Sequence, residues 1–204
     1  MIGIDFDNTI VCYDRVFGDI AVEHGLAATP RTSSKTALRD HLRALGQEPR
    51  WTELQGIVYG PRIGDAVPFP GVLEFFSRCR MEGRPVAVIS HRSRHPYAGE
   101  RYDLHEAARS WLERQGFHDP DRTALQPQDV YLEESLDAKL VRIATAGCSH
   151  FIDDLPEVLG HPRFPAGVQR ILFDPHGTHT APPESRVARS WPEIAALLAG
   201  DTRP

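Results

Sequence analysis

The sequence has few cysteines and lacks long apolar runs. Its three cysteines, Cys12, Cys79 and Cys148, are widely separated and odd in number, which fits neither a disulfide framework nor a Cys-x-x-Cys zinc site. A membrane-spanning helix needs about 18 consecutive apolar residues, and no such run occurs. Acidic residues appear from position 5 onward, where a secretory signal would carry its apolar segment. We therefore expect a cytoplasmic location and no membrane partner.

Concentrated positive charge is also lacking. The net charge is −5 at pH 7, and the sequence contains no block of about five or more like charges. Because a nucleic-acid-binding surface needs a basic patch, we expect no nucleic-acid partner. Lysine is scarce as well, since only Lys35 and Lys139 stand among the 23 basic residues. These two lysines are therefore candidates for functional roles.

What is present is a regular alternation of short β-rich runs and segments with helical periodicity. With 204 residues, the chain is long enough for one domain with an insertion or for two small domains. The alternation is typical of a parallel sheet covered by helices, so we predict an α/β fold. Five strands are predicted for this sheet, over residues 2–6, 85–90, 129–132, 150–153 and 168–173.

Residues 11–67 interrupt this alternation and are predicted to be all-helical. Apolar residues recur at helical spacing through this segment, and residues 32–34 are candidate N-caps for one of its helices. We therefore predict two domains, an α/β core domain over residues 1–10 and 68–204 and a helical insertion over residues 11–67.

Polar side chains stand at the carboxyl ends of the predicted strands. They are, in chain order, Asp5, Asp7, Thr9, Ser90, His91, Arg92, Asp153 and Asp154. Lys139 lies in the predicted helix that precedes the fourth strand. Because ligands of such sheets bind at the carboxyl ends of the strands, we expect these side chains to share one site.

Two carboxylates in this set indicate a metal site. Side chains two residues apart on a strand share a face, so Asp5 and Asp7 are expected to point into one site. Neighbouring carboxylates are unfavourable unless a cation lies with them, and Mg²⁺ prefers one or two carboxylates together with water and phosphate oxygens. We expect Asp5 and Asp153 to supply these ligands. A calcium loop would instead need glycine and glutamate where Ile10 and Val16 stand.

Four short motifs follow one another along the chain. They are the run Asp5-Phe6-Asp7-Asn8-Thr9, the strand that ends at Ser90, the single Lys139 and the pair Asp153-Asp154. In this order they resemble motifs one to four of the haloacid dehalogenase-like (HAD) superfamily. The resemblance covers nearly the whole chain and implies a Rossmannoid three-layer fold, with residues 11–67 as a small C1 cap. One departure is that Glu157 stands where the fourth motif often ends in aspartate, so the second acid of the metal site is Asp154 or Glu157.

The resemblance implies a role for each of these residues in phosphoryl transfer. Asp5 would be the nucleophile, and Asp7 would be the general acid and base. Ser90 and Lys139 would hold the phosphoryl oxygens, and Thr9 would support this phosphate-binding loop. The implied Mg²⁺ ligands are Asp5, Asp153, Asp154 and the backbone carbonyl of Asp7.

Retention of an acid at Asp7 favours a phosphatase, because the dehalogenases of the superfamily lack this acid. We therefore expect a Mg²⁺-dependent phosphatase that acts on a small phosphorylated metabolite, with a phosphomutase or a non-catalytic phosphate- or Mg²⁺-binding regulator as alternatives. His91 and Arg92 are interpreted as groups that grip a second anion on the substrate, or as a solvated loop. Lys35 is interpreted as a surface residue or a substrate contact. The substrate's identity and the oligomeric state stay open.

Overall fold

The structure is a computed structural model that describes residues 1–26, 35–123 and 125–200, without the side chains of residues 36 and 37. The candidate N-caps at residues 32–34 lie outside the described residues. No described helix has the length and hydrophobicity that crossing a membrane requires.

The chain divides into two compact units. The core unit consists of residues 1–10 and 68–92 and of the chain from residue 112 on. The insert unit consists of residues 11–67 and 93–111. The insert unit thus includes a second segment, residues 93–111, whereas the sequence places these residues in the predicted core domain. The interpretation of the insertion as a C1 cap stays a prediction.

Strands and helices alternate along most of the core unit. The strands in the described residues are β1 (Ile2–Ile4), β2 (Val11–Cys12), β3 (Val67–Pro68), β4 (Val86–His91), β5 (Val130–Glu133), β6 (His150–Asp153), β7 (Gln169–Phe173) and β8 (Ser185–Ala188). The α-helices are α1 (Asp14–Glu23), α2 (Lys35–Ala44), α3 (Glu48–Tyr59), α4 (Val72–Met81), α5 (Leu104–Arg114), α6 (Leu136–Thr145), α7 (Pro156–Leu159) and α8 (Trp191–Gly200). Short 3-10 helices cover Ile63–Asp65 and Pro127–Asp129.

A six-stranded parallel sheet forms the centre of the core unit. Its strand order is β5-β4-β1-β6-β7-β8. β1 lies between β4 and β6, with Ile4 opposite Val88 on one side and Ile152 on the other. The predicted α/β fold with a parallel sheet is therefore confirmed. This order brings the carboxyl ends of β4, β1 and β6 side by side.

The sheet has six strands, so the prediction of five was wrong. The missing strand is β8, which occupies one edge of the sheet and pairs only with β7 in the described residues. Val187, its largest apolar side chain, is exposed, and Pro182 and Pro183 stand just before the strand. An edge strand of this kind needs no apolar run, and prolines argue against a strand, so the sequence gives no strand signal here.

Helices pack on both faces of the sheet. On one face, Ile89 and Phe151 belong to an apolar cluster with Leu140 of α6 and Leu159 of α7. On the other face, the ring of Trp191 in α8 packs against aromatic rings of α4 and β7. Its centroid lies 4.9 Å from that of Phe75 and 5.8 Å from that of Phe173. The core unit is thus a three-layer α/β fold.

The insert unit is organised around aromatic rings. Phe17 stacks on Trp51 with a centroid distance of 5.2 Å, and Tyr13 meets Tyr59 edge-on at 5.0 Å. The expectation that residues 11–67 are all-helical is wrong at the two ends of the segment, where β2 and β3 pair. Strands of two residues are too short to show the alternation on which a sequence-based strand prediction depends.

Candidate active site

The chain beyond β1 forms a tight turn that begins with an acidic side chain. Asp5 is buried directly after the strand, and its backbone N–H donates to the carbonyl of Ile152 at 2.9 Å. The turn closes where the N–H of Ile10 donates to the carbonyl of Phe6 at 3.0 Å. Asn8 has a left-handed backbone conformation with φ of 57°, which asparagine tolerates better than most residues. The asparagine thus lets the chain reverse immediately beyond the sheet.

Lys139 lies between two buried carboxylates. Its Nζ donates to Oδ1 of Asp5 and to Oδ2 of Asp153, both at 2.6 Å. All three side chains are almost completely buried. Lys139 lies in the first turn of α6. Ser135 is the N-cap of this helix, and its hydroxyl accepts the N–H of Ala138 at 3.1 Å. The ends of β1 and β6 and the start of α6 therefore meet at one charged cluster.

Burial and charge oppose each other in this cluster. Burial acts to lower the pKa of the Lys139 ammonium, but the charges of Asp153 and Asp5 outweigh it and hold that pKa above its ordinary value. Burial raises the pKa of the Asp153 carboxyl, and the charge of Asp5 adds to this effect. A single ammonium thus serves two buried carboxylates, which leaves the cluster able to attract a further cation.

A third carboxylate completes a group that can hold a metal ion. One oxygen each of Asp5, Asp153 and Asp154 lies within 4.8 Å of the others. Oδ1 of Asp153 also accepts the N–H of Leu155 at 2.9 Å, which fixes this carboxylate at the end of β6. The hydroxyl of buried Thr9 lies 3.5 Å from Oδ1 of Asp154. This all-oxygen donor set fits a hard divalent cation such as Mg²⁺.

The second carboxylate of the turn makes a separate ion pair. Oδ1 of Asp7 accepts Nη1 of Arg92 at 2.5 Å. Arg92 is buried, its guanidinium carbon lies 5.6 Å from the ring centroid of Phe6, and its backbone N–H donates to the carbonyl of Glu133 at 2.8 Å. The arginine is therefore fixed by its backbone, by an aromatic ring and by the carboxylate.

Ser90 and His91 end β4 beside this cluster. Ser90 is buried and lies opposite Leu132 of β5 in the sheet register. His91 is exposed, and partial desolvation together with the charge of Lys139 lowers the pKa of its imidazole. The carboxyl end of β4 therefore presents a buried hydroxyl, an exposed imidazole and a buried guanidinium in three consecutive residues.

The chain is similar to solved structures over nearly its whole length. One is a conserved haloacid dehalogenase-like protein of unknown function from Agrobacterium tumefaciens, with 16% identity, a TM-score of 0.59, and coverage of 99% of this chain and 98% of that chain. Another is a HAD family hydrolase from Deinococcus radiodurans with bound phosphate and sodium, with 16% identity, a TM-score of 0.59, and coverage of 98% and 94%. A third is the putative HAD-hydrolase YfnB from Bacillus subtilis bound to magnesium, with 11% identity, a TM-score of 0.52, and coverage of 97% of both chains. No protein-family model and no curated protein matches the sequence.

These similarities extend over almost the full length of each pair of chains and decide the fold. The chain has the haloacid dehalogenase-like fold. The superfamily resemblance drawn from the four motifs is thereby confirmed at the level of the fold. The assignment to a C1-capped branch stays a prediction.

Within this haloacid dehalogenase-like fold, most of the predicted site residues come together in the core unit. Asp5, Lys139 and Asp153 are in direct contact, and Asp154 joins the two acids in the possible metal group. Glu157, the alternative second acid, is exposed in α7 and does not belong to that group. The geometry therefore favours Asp154 over Glu157 as the second acid.

Lys35 lies elsewhere, at the first position of α2 in the insert unit. Its Nζ lies 5.8 Å from the ring centroid of Tyr59, a distance typical of a cation–π contact. The two lysines that the composition singled out therefore differ, because Lys139 is buried between carboxylates and Lys35 is partly exposed beside an aromatic ring. A role for Lys35 in substrate binding stays a prediction.

The ion pair between Arg92 and Asp7 is the feature that sequence reasoning missed. The sequence predicts that Arg92 contacts a second substrate anion or belongs to a solvated loop, whereas the structure buries Arg92 and places its guanidinium on Asp7. A signal was available, because Ser90 and Arg92 are two residues apart at the end of one strand. Such residues share a face, so an arginine two positions after a site serine is expected to point the same way.

Proposed function

We propose that this protein is a Mg²⁺-dependent phosphatase that hydrolyses a small phosphate monoester through an aspartyl-phosphate on Asp5. The observation that carries the proposal is the buried contact of Lys139 with both Asp5 and Asp153, beside a third acid at the carboxyl ends of the strands. Buried charges are costly for stability, so their convergence in one cluster favours a functional explanation. The phosphate and the magnesium named for two structurally similar hydrolases agree with this chemistry.

In the first step, a carboxylate oxygen of Asp5 attacks the phosphorus in line with the leaving oxygen. The bond between the Asp5 oxygen and phosphorus forms as the bond between phosphorus and the leaving oxygen breaks. Asp7, which must be protonated when the substrate binds, gives its proton to the leaving oxygen, which departs as an alcohol. Asp5 thereby carries the phosphoryl group, and Asp7 is left as a carboxylate.

In the second step, water attacks the phosphorus of the aspartyl-phosphate. Asp7 accepts a proton from this water as the new bond between oxygen and phosphorus forms. The bond between the Asp5 oxygen and phosphorus breaks, which releases inorganic phosphate and regenerates the Asp5 carboxylate. Asp5 thus returns to its carboxylate form and Asp7 to its protonated form.

The remaining residues of the cluster position the phosphoryl group. Lys139 and Ser90 donate hydrogen bonds to its oxygens, and Thr9 supports the turn that carries Asp5 and Asp7. Asp5, Asp153, Asp154 and the backbone carbonyl of Asp7 would hold Mg²⁺. When bound, Mg²⁺ would offset the negative charge of the phosphoryl oxygens.

The proposed substrate is a small phosphorylated metabolite in the cytoplasm, with no nucleic-acid or membrane partner. His91 is exposed beside Ser90, where its imidazole is available to contact the rest of the substrate. Lys35 in the insert unit is a second proposed contact. A phosphate-release screen over a metabolite library, with Mg²⁺ present, would identify the substrate class.

The mechanism is tested by comparing Asp5→Asn with Asp7→Asn. Asp5→Asn lacks the attacking oxygen, so turnover should fall to background and no phosphoenzyme should form. Asp7→Asn should still react with an aryl phosphate whose leaving group needs little protonation, and its aspartyl-phosphate should accumulate because water is not activated. Mass spectrometry after an acid quench, with borohydride trapping, locates the phosphate.

The control for these two substitutions is an exposed acid away from the proposed site. Asp121 is an exposed acid of the core unit, so Asp121→Asn should keep wild-type turnover. Phosphate found on Ser90 or His91, or full activity in Asp5→Asn, would contradict the proposed mechanism while leaving the fold unaffected.

The metal assignment has its own test, which does not depend on turnover. Mg²⁺ should raise the unfolding temperature of the wild type by mass action, and Asp153→Asn should weaken this stabilisation. Glu157→Gln is the matched control, because Glu157 is an exposed acid outside the group. Phosphatase activity that survives exhaustive EDTA treatment, or equal Mg²⁺ stabilisation in Asp153→Asn and the wild type, would contradict the assignment.

A further inference from the structure

Arg92 is a buried charged residue that the proposed reaction steps do not use. Only 3% of its side chain is exposed, whereas 59% of the side chain of Arg94 is exposed two residues later. An arginine that captures a substrate anion must direct its donors at the anion. Nη1 of Arg92 is instead directed at the carboxylate of Asp7, so this contact favours a role in holding Asp7 over direct capture of a substrate.

Contacts hold both the backbone and the guanidinium of Arg92. Its backbone N–H is bonded to the carbonyl of Glu133, its guanidinium lies over the ring of Phe6, and its Nη1 donates to Asp7. A planar guanidinium presents its donors in a rigid fork, so an arginine anchored in this way directs a carboxylate more strictly than a flexible lysine does.

The carboxyl group of Asp7 needs a partner that fixes its orientation. Asp7 lies in the turn that reverses at Asn8, and its side chain is only partly buried. The terminal torsion of an aspartate has a broad energy profile, so the turn alone does not fix the direction of the carboxyl oxygens. A group that transfers a proton must come within about 2.6–3.2 Å of the atom that receives it. The orientation of the Asp7 carboxyl group is therefore a requirement of both proposed steps.

We propose that Arg92 is a positioning residue that orients the carboxyl group of Asp7 and acts on the reaction only through Asp7. The inference rests on the proposed function, since it assigns Arg92 to the proton-transfer part of that mechanism. It replaces the interpretation of Arg92 as a contact to a second substrate anion or as part of a solvated loop. Loss of Arg92 should therefore reproduce, in weaker form, the loss of Asp7.

The test uses two substitutions of Arg92 and one matched control. Arg92→Met keeps the apolar stem and removes the donors, and Arg92→Lys keeps a positive charge. Arg142→Met is the control, because Arg142 also pairs with a carboxylate, at 2.8 Å to Glu133, and stacks on a ring, at 4.4 Å to the centroid of Tyr131. Turnover of an aryl phosphate and the steady-state level of phosphoenzyme are measured for each variant.

The expected result is a lower kcat without a higher KM. Arg92→Met should lower kcat by about 10- to 100-fold, which is within the range that general acid–base catalysis contributes, and should not raise KM, because slower hydrolysis of the phosphoenzyme lowers kcat and KM together. Its aspartyl-phosphate on Asp5 should accumulate, as in Asp7→Asn. Arg92→Lys should recover part of kcat, and Arg142→Met should behave like the wild type.

A double-mutant cycle with Asp7→Asn decides between positioning and other roles. With an activated aryl phosphate, the rate of phosphoenzyme formation in Asp7→Asn should be unchanged by adding Arg92→Met, because the group that Arg92 orients is already lost. If Arg92 bound the substrate, KM would rise in both backgrounds. If Arg92 only supported the fold, the second substitution would lower the rate by the same factor in both backgrounds. Either outcome would overturn the inference.

Failure of the inference is distinguishable from failure of the proposed function. If the wild type hydrolyses no phosphate ester and forms no phosphoenzyme, the proposed function fails. If the wild type is active and Arg92→Met matches it in kcat and in phosphoenzyme level, only the positioning role fails. Should Arg92→Met not fold, Arg92→Lys decides, since an unchanged kcat and phosphoenzyme level in that folded variant would show that the oriented fork is not needed.

Discussion

The two units differ in what they bury. Eight polar or charged residues are buried among the described side chains, and all belong to the core unit: Asp5, Thr9, Ser90, Arg92, Thr123, Lys139, Asp153 and Asp174. In the insert unit, the described ion pairs lie at the surface, as in Arg43–Glu48 and Arg94–Asp103. The interior of that unit is built from apolar and aromatic side chains such as Phe17 and Trp51.

This difference reflects the cost of burying charge. Removing a charge from water costs several kcal/mol, and the cost is repaid only by close partners with good geometry. An apolar interior, by contrast, is stabilised simply by the area that it removes from water. The insert unit has an apolar interior of this kind, whereas the core unit buries charge. Six of its eight buried polar residues have a role in the proposed chemistry, and only Thr123 and Asp174 do not. The proposed chemistry and the expensive electrostatics therefore occupy the same unit.

The largest effect on stability is expected for Lys139→Met. The substitution leaves the buried carboxylates of Asp5 and Asp153 together without the ammonium that lies 2.6 Å from each. Breaking a buried charge pair from one side costs about 3–5 kcal/mol, so the free energy of unfolding in urea should fall by about this amount. Mg²⁺ should restore part of the loss, because a bound cation supplies the missing positive charge.

The only other lysine of the chain is the matched control. Lys35 contacts an aromatic ring in the insert unit and is partly exposed, so Lys35→Met should cost less than about 1 kcal/mol. Equal losses of unfolding free energy in Lys139→Met and Lys35→Met would contradict the proposed difference between the two units.

A smaller effect is expected when a polar group is placed in the apolar interior of the insert unit. Val58 in α3 is completely buried, and Val58→Thr replaces a methyl group by a hydroxyl of similar size. Burying this hydroxyl should cost about 1–2 kcal/mol in urea unfolding, towards the low end because threonine in a helix can bond to a preceding carbonyl. Thr9→Val is the reciprocal change in the core unit.

Thr9→Val should alter metal binding more than stability. The Thr9 hydroxyl lies 3.5 Å from Asp154, so its loss removes a partner of one proposed ligand. Isothermal titration calorimetry should show that Thr9→Val binds Mg²⁺ more weakly than the wild type does. If Thr9→Val leaves Mg²⁺ affinity unchanged, its buried hydroxyl serves the fold alone.

A buried carboxylate outside the proposed site allows a pH test. Asp174, directly after β7, accepts the N–H groups of Thr178 and His179 at 3.0 Å each. Burial acts to raise its pKa, but these backbone hydrogen bonds outweigh burial and hold the pKa below its ordinary value. A lowered pKa contributes stability that is fully present above the unfolded-state pKa of about 4 and is lost as the pH falls through the native value.

Asp174→Asn should therefore cost about 1 kcal/mol at neutral pH and less in acid. Urea unfolding of the wild type and the variant at pH about 7 and about 3 measures the difference. A difference that stays constant over this range would mean that the amide and the carboxylate differ in packing rather than in charge.

The sequence predicts the central strands and the convergence of their polar ends, because both depend on local patterns. The strands that contain Ile4, Val88 and Ile152 are apolar runs, and parallel strands bring their carboxyl ends to one edge. This is why Asp5, Lys139 and the two acids after β6 could be assigned to one site. The sequence does not predict β8, because an edge strand pairs with one neighbouring strand and needs no apolar run.

The sequence shows which residues belong to the site better than it shows which of their side chains contact each other. The contact between Arg92 and Asp7 depends on the turn at Asn8, whose left-handed conformation sets the direction of the chain after β1. Sequence spacing shows which side chains share a face, but it does not show which of them pair. The same limit applies to Lys139, for which the sequence suggested a phosphate contact and the structure adds two carboxylate contacts.

The smallest effect is expected for the exposed ion pair between Arg43 and Glu48 in the insert unit. Nε and Nη2 of Arg43 donate to the two carboxylate oxygens at 2.7 and 3.0 Å, and this bonding lowers the pKa of Glu48. About half of each side chain is exposed, at 52% and 51%, so water solvates both charges when the pair separates. Holding two long side chains in one geometry also costs conformational entropy, which offsets the attraction. Arg43→Ala should therefore leave the urea midpoint unchanged within the scatter of the measurement, both at low salt and in about 1 M NaCl. A loss as large as that of Asp174→Asn, present at low salt and absent in high salt, would mean that the insert unit also depends on paired charge, and the contrast between the two units would fail.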